Sequence, residues 1–315
     1  MADQAPSLST ILDGSVPVLG NRDSIEAVAT TRGRPTLALA LGPRAQLDAA
    51  FIPALYEVLS TLGSDAFDLF LGPLGPATAD VGRVVGLLAD RGRFEALLPL
   101  EASPAATLLA FAAERIWLGP AGTLAPLLPA TAPDGTARAL LELLAAAPAD
   151  ARPAALARWW GAYDATLLGA AIRHRHDVAA LARRCLRGGG TPADHAGPIA
   201  ARFTAIEEPD LPLSLADARG LGLPVHPPGP GLYRALVALH RYYDRMLALE
   251  GEMSHDQKRY VVTYDGFIDT PPERRILLRV TRTDDHGRPR TESPTAWRWV
   301  RPSDREIAID QVLEL

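Results

Sequence analysis

An α/β fold with a largely parallel sheet and crossover helices is predicted by three features of this 315-residue chain. Continuous apolar runs such as TLALAL (36–41) suit strands buried on both faces. Stripes at helical spacing fall between those runs, and short Gly/Pro turns separate them. With 48% hydrophobic and 22% charged residues, the chain is apolar enough to bury a sizeable core.

Residues 1–33 carry Gly, Pro, Asp and Ser around one short apolar run, and read as a loosely structured lead-in. The main domain is expected over 34–250. After the strand at 36–41, Ile52, Leu55, Tyr56, Leu59 and Leu62 form a helical stripe with Gly63 at the place of a C-cap glycine. A strand follows at Phe67–Leu71, then the turn GPLGP (72–76). A second stripe of Val81, Val84, Val85 and Leu88 is closed by Gly92, and Phe94–Leu100 forms a third strand. Leu98 to Pro120 then reads as a strand end, a turn carrying Ser103 and Pro104, a short apolar helix and a fourth strand.

From Thr136 to Arg187 the pattern is helical, with breaks near Pro148 and Pro153. GGGTPADHAGP (188–198) reads as a loop, Ser214 announces a short helix ending at Gly220 and Gly222, and Leu232–Glu250 forms a last helix. Past Lys258 the period becomes two, as in Tyr260, Val262 and Tyr264, so 258–315 is expected to be a small C-terminal β appendage. DDHG (284–287) is its hairpin turn. Asp265 and Asp269 in YDGFID read as a turn as well.

Composition narrows the function classes. The net charge of -5 is spread over mixed signs, so no nucleic-acid footprint is expected. No apolar stretch reaches the ~18 residues of a membrane span, and MADQAPSLST lacks the basic region of a leader. The single cysteine, Cys185, fits a reducing, cytoplasmic setting and reads as a small buried residue. No metal or cofactor is expected. His174 and His176 in RHRHD diverge on a helix and read as a solvated face. Glu207, Glu208 and Asp210 lie among prolines, and no phosphate-binding glycine motif opens a helix. Trp159, Trp160, Trp297 and Trp299 read as core or interface anchors.

ASPAATLLAFAAERIWLGPAGTLAP (102–126) is similar to the segment AxSAATLLALAADxIxMGPxSxLGP of the serine dehydrogenase proteinase family. Those proteins are relatives of the signal peptide peptidase A enzymes on the ClpP/crotonase fold. LFLGPLGPATADVGRVVGLL (69–88) and SLADARGLGLPV (214–225) resemble further segments of that family, in the same order, over roughly residues 25–225. The resemblance implies a ClpP/crotonase-like core with a helical extension, a cleft for extended peptide, and assembly with itself or with an active paralogue.

For catalysis, the resemblance places Pro104 where the family carries its nucleophilic serine, with Ser103 one residue earlier. Ser followed by Pro is what helix capping prefers: Ser at the cap, Pro at the first helical position. The family's oxyanion donors fall on the glycine pair, here Gly75 and Pro76, and on the residue after the nucleophile. If Ser103 attacked, that residue would be Pro104, and proline has no N–H. One such donor is worth about 3–4 kcal/mol in the transition state. The sole lysine, Lys258, lies outside the matched region. His195, beside Asp194, is left as the candidate base. Two readings follow: a catalytically degenerate peptide-binding or scaffold subunit, or an active serine peptidase or hydrolase using Ser103 and His195.

Overall fold

The computed structural model describes residues 22–45, 47–75, 80–127, 148, 150, 153–154, 165–204, 212–248, 250–255, 258–283 and 296–300. The chain runs α1 (Arg22–Arg32), β1 (Thr36–Leu41), α2 (Phe51–Ser60), β2 (Ala66–Leu71), α3 (Val81–Arg91), β3 (Arg93–Leu98), β4 (Glu101–Ala102), α4 (Pro104–Phe111), β5 (Arg115–Leu118) and β6 (Thr123–Leu124). It continues as α5 (Ala165–Gly188), α6 (Ala193–Phe203), β7 (Leu213–Ser214), α7 (Leu215–Gly220), β8 (Val225–His226), α8 (Pro230–Leu247), β9 (Glu250–His255), β10 (Lys258–Asp269), β11 (Arg274–Thr283) and β12 (Ala296–Val300).

The fold is mixed α/β. Strands β1, β2, β3, β5 and β8 are parallel neighbours in that order, so their order in space equals their order in sequence. Strand β10 lies antiparallel on the outer side of β1, pairing Ala38 with Asp269, and β11 and β12 follow it. Strands β10, β11 and β12 thus extend the central sheet itself. A second, three-stranded sheet joins β4, β6 and β7.

Alternation along each strand divides the core in two. Leu37, Leu39 and Leu41 of β1, Phe67, Leu69 and Leu71 of β2, and Phe94, Ala96 and Leu98 of β3 pack with α2, α3 and α4, and α5 and α6 join the same cluster. Ala38, Ala40, Phe70 and Leu97 face the other way, onto α1 and α8. The crossover helices α2, α3 and α4 therefore sit on one face, and the parallel strands β1, β2, β3, β5 and β8 follow one another in a single direction.

Three local expectations fail. Residues 22–32 are a helix, held by Ile25 and Val28 against α8; two apolar anchors give too weak a period to read in isolation. Asp265 and Asp269 lie in the continuous strand β10, with an irregularity between Tyr264 and Gly266. Both are buried and paired, Asp265 with Arg279 at 2.6 Å and Asp269 with Arg274 at 2.9 Å, so their polarity marks no turn. The 188–198 stretch is a loop only to Pro192, and α6 then begins at Ala193 and accommodates Pro198. In addition, α2 is capped at Thr61, ahead of Gly63, which does not take a left-handed conformation. The DDHG turn, Glu207, Glu208, Asp210, Trp159 and Trp160 lie outside the described residues.

The α1 face encloses a charge network. Arg32 Nε donates to Asp68 Oδ2 at 2.8 Å and its Nη2 to Glu95 Oε2 at 2.5 Å, while Arg34 lies 2.8 Å from Glu95 Oε1. The Trp117 indole N–H donates to Glu95 at 2.6 Å, and the Arg32 guanidinium lies 4.6 Å over that ring. Burial pushes the Asp68 carboxyl up, outweighing its two arginines. Burial pushes Glu95 the same way, but the Trp117 bond and both guanidiniums overcome it and hold that carboxyl low. Glu95 therefore adds stability at neutral pH that is lost as pH falls through its folded value.

Replacing Arg32 with Gln leaves Asp68 and Glu95 enclosed with one guanidinium between them. Breaking such a buried pair costs about 3–5 kcal/mol, read as a lower urea midpoint. Without Arg32 the Asp68 carboxyl rises further above its unfolded value and Glu95 is held less low, so the folded variant takes up protons more readily than the wild type. The deficit against wild type should narrow as pH falls from neutrality toward the carboxylate range; a deficit that widens on acidification contradicts this network.

Candidate functional site

In open parallel sheets, ligand sites form at the carboxyl ends of the strands. In this sheet that edge is built by the turn after β2 and by the passage from β3 through β4 into α4. Helix α4 is enclosed on all sides: every residue from Ala105 to Phe111 is buried. Ser103 and Pro104 at its start are half-buried, whereas the Ala105 and Ala106 amides lie in fully buried residues and call for partners within the protein.

Ser103 supplies the partner. With extended backbone (φ -69°, ψ 166°), it sits at the N-cap and its Oγ accepts the Ala106 N–H at 3.2 Å. Pro104 occupies the first helical position, where it removes one of the donors that would need satisfying. One turn on, Thr107 Oγ1 accepts the Ala125 N–H at 3.0 Å, tying α4 to the segment after β6.

The turn after β2 is fixed by backbone bonds. Gly72 N–H donates to Leu39 O at 2.8 Å, and Leu41 N–H donates to Pro73 O at 2.5 Å. Gly75 has φ +62°, the left-handed region that a side chain strains. A Cβ there would stand 3.4 Å from Ala45 O, so conformation rather than space requires the glycine. Pro76 lies outside the described residues.

His195 is exposed on the first turn of α6. Its Nε2 is 3.8 Å from Asp194 Oδ2, too long for a hydrogen bond, and its Nδ1 faces Gly222 beyond α7. Among the described residues no hydrogen bond joins it to Ser103. Cys185 is buried, and burial pushes its thiol up to about 12, which leaves essentially no thiolate near neutral pH. Among the described residues no three His, Cys, Asp or Glu side chains gather as a metal cage, and no helix is long and apolar enough to cross a membrane.

Comparison with known protein families, with curated proteins and with solved structures finds no match for this chain.

Two features lie beyond sequence reasoning. The partners of the Arg32 network come from four separate elements, and nothing in the local pattern of Asp68 or Glu95 distinguishes a buried pair from an exposed one. The RHRHD segment reads as a solvated helix face, yet its His174 and Asp177 line a groove with Gly82. The faint signal of that groove is a glycine one residue into a helical stripe.

Two outcomes test the site. Ser103→Ala should cost about 1 kcal/mol of unfolding free energy, and Ser103→Asp, which restores a capping oxygen, only a few tenths; equal loss in both variants contradicts the cap. A thiol reagent at pH 8 should modify Cys185 only at the rate of global unfolding, and rapid labelling of the folded chain contradicts its enclosure.

Proposed function

We propose that this chain is a catalytically degenerate serine-peptidase-like protein of ClpP/crotonase arrangement, acting as a peptide-binding or scaffold subunit. The single-direction winding β1-β2-β3-β5-β8, with its crossover helices on one face, supports that arrangement. The small β4-β6-β7 sheet beside the Ser103 turn supports it further. Assembly with itself or with an active paralogue belongs to the same reading. So does a cytoplasmic setting, with which the single reduced cysteine agrees.

The observation that carries the loss of catalysis is the start of α4. The one hydroxyl at this turn accepts a hydrogen bond from Ala106, and the residue after it is a proline. An oxyanion developing beside Ser103 would find no amide on residue 104, and His195 makes no bond to take the proton. The cost of a missing donor, about 3–4 kcal/mol, corresponds to a rate loss of roughly two to three orders of magnitude before the missing base is considered.

A fluorophosphonate probe incubated with the folded chain at pH 8 tests this directly. Labelling no greater than that of Ser103→Ala is the expected result. Stoichiometric labelling that disappears in Ser103→Ala would establish the competing reading, an active hydrolase with Ser103 as nucleophile.

A further inference from the structure

A groove of about 450 Å³ runs between α3 and α5, lined by Gly82, His174, Asp177, Val178, Leu181 and Arg184. That volume lies in the range of small-ligand sites. Positions 174, 177, 181 and 184 recur at helical spacing, so one face of α5 forms one wall. The opposing wall is the first turn of α3, whose cap residue Asp80 leaves the helix amides uncapped and pairs instead with Arg83 at 3.0 Å.

The groove combines two exposed, opposite charges with one enclosed polar atom. Arg184 Nη2 reaches the Gly82 carbonyl at 3.4 Å, a long contact that leaves the rest of its guanidinium for the groove. Asp177 has no ion-pair partner among the described residues. His174 Nε2 is enclosed and has no hydrogen-bond partner. A buried polar atom without a partner calls for one from water or ligand.

Charge and spacing together define what fits. Arg184 stands beside the first turn of α3, the positive end of that helix, so this end of the groove favours a carboxylate. Asp177 and the enclosed His174 nitrogen, one turn apart, favour an ammonium at the other end. Two turns of helix separate Asp177 from Arg184, about 10 Å along the axis. Extended peptide advances about 3.3–3.6 Å per residue, so three residues cover that distance. Val178 and Leu181 lie between and offer apolar contact to a small central side chain.

We infer that this groove binds free, zwitterionic tripeptides, with the carboxylate at Arg184 and the amino group at Asp177 and His174. The inference deepens the peptide-binding half of the proposed function and rests on it, while making no use of Ser103. It specifies a ligand with both ends unblocked, where a longer substrate strand would have neither end in the groove.

Isothermal titration of the full chain with trialanine tests it, alongside trialanine amide, N-acetyl-trialanine and acetate. Trialanine should bind at one site, and blocking either end should weaken binding at least tenfold. Arg184→Gln and Asp177→Asn, both at exposed positions, should each weaken trialanine tenfold or more while the melting temperature stays unchanged. No trialanine binding, equal binding of the blocked peptides, unaltered binding in both variants, or acetate binding as tightly as trialanine would each overturn the assignment. Fluorophosphonate labelling of Ser103 together with Arg184-dependent trialanine binding would remove the degenerate reading and leave the groove assignment standing.

Discussion

The enclosure of α4 governs the rest of this site. A helix with water on one side can leave its first N–H groups to solvent, but α4 is buried from Ala105 to Phe111. Its start must therefore be satisfied from within the protein. Ser103 accepts one donor and Pro104 eliminates another, and the turn is stable because its hydroxyl is occupied. The same two residues that make the helix possible make the turn a poor place for a nucleophile. Stability and acyl transfer ask different things of this position, and under the proposed reading the local chemistry serves stability.

Sheet winding brings the turn to its place. With helices α2, α3 and α4 on one face, the other face is free to receive α1 and α8. That second layer is joined by charge as well as by apolar contact. Arg32, at the end of α1, reaches Asp68 on β2 and Glu95 on β3, and lies over Trp117 of β5. Four elements are fixed relative to one another by one side chain. Such a network gives orientation more surely than net stability, because the desolvation of four charges offsets much of their attraction.

The strands and helices from Thr36 to Leu118 are legible in the sequence because each carries its own signal. TLALAL is buried at all six positions, and α3 presents Val81, Val84, Val85 and Leu88 on one stripe. Short loops then leave little freedom in assigning neighbours. The Ser103 cap is legible too, since Ser-Pro ahead of an apolar run matches two independent preferences at a helix start. What escapes the sequence depends on distant partners. Helix α1 needs α8, more than two hundred residues later, to bury Ile25 and Val28. Asp265 and Asp269 read as turn residues until Arg279 and Arg274 neutralise them inside the sheet. The α3–α5 groove joins Gly82 to Arg184 across 102 residues, and its only local trace is the glycine at the start of the α3 stripe.

The central claim is that the Ser103 hydroxyl belongs to α4 rather than to a substrate. Amide hydrogen exchange at Ala106 measures this most directly, in the wild-type chain and in Ser103→Ala, under native conditions. With the cap in place, Ala106 should exchange as slowly as the core of α4, and its loss should speed that amide by about fivefold or more, as ~1 kcal/mol implies. An Ala106 amide that exchanges rapidly in the wild type, or at the same rate in both proteins, would mean that the Ser103 hydroxyl is free, and its assignment to the helix cap would fail.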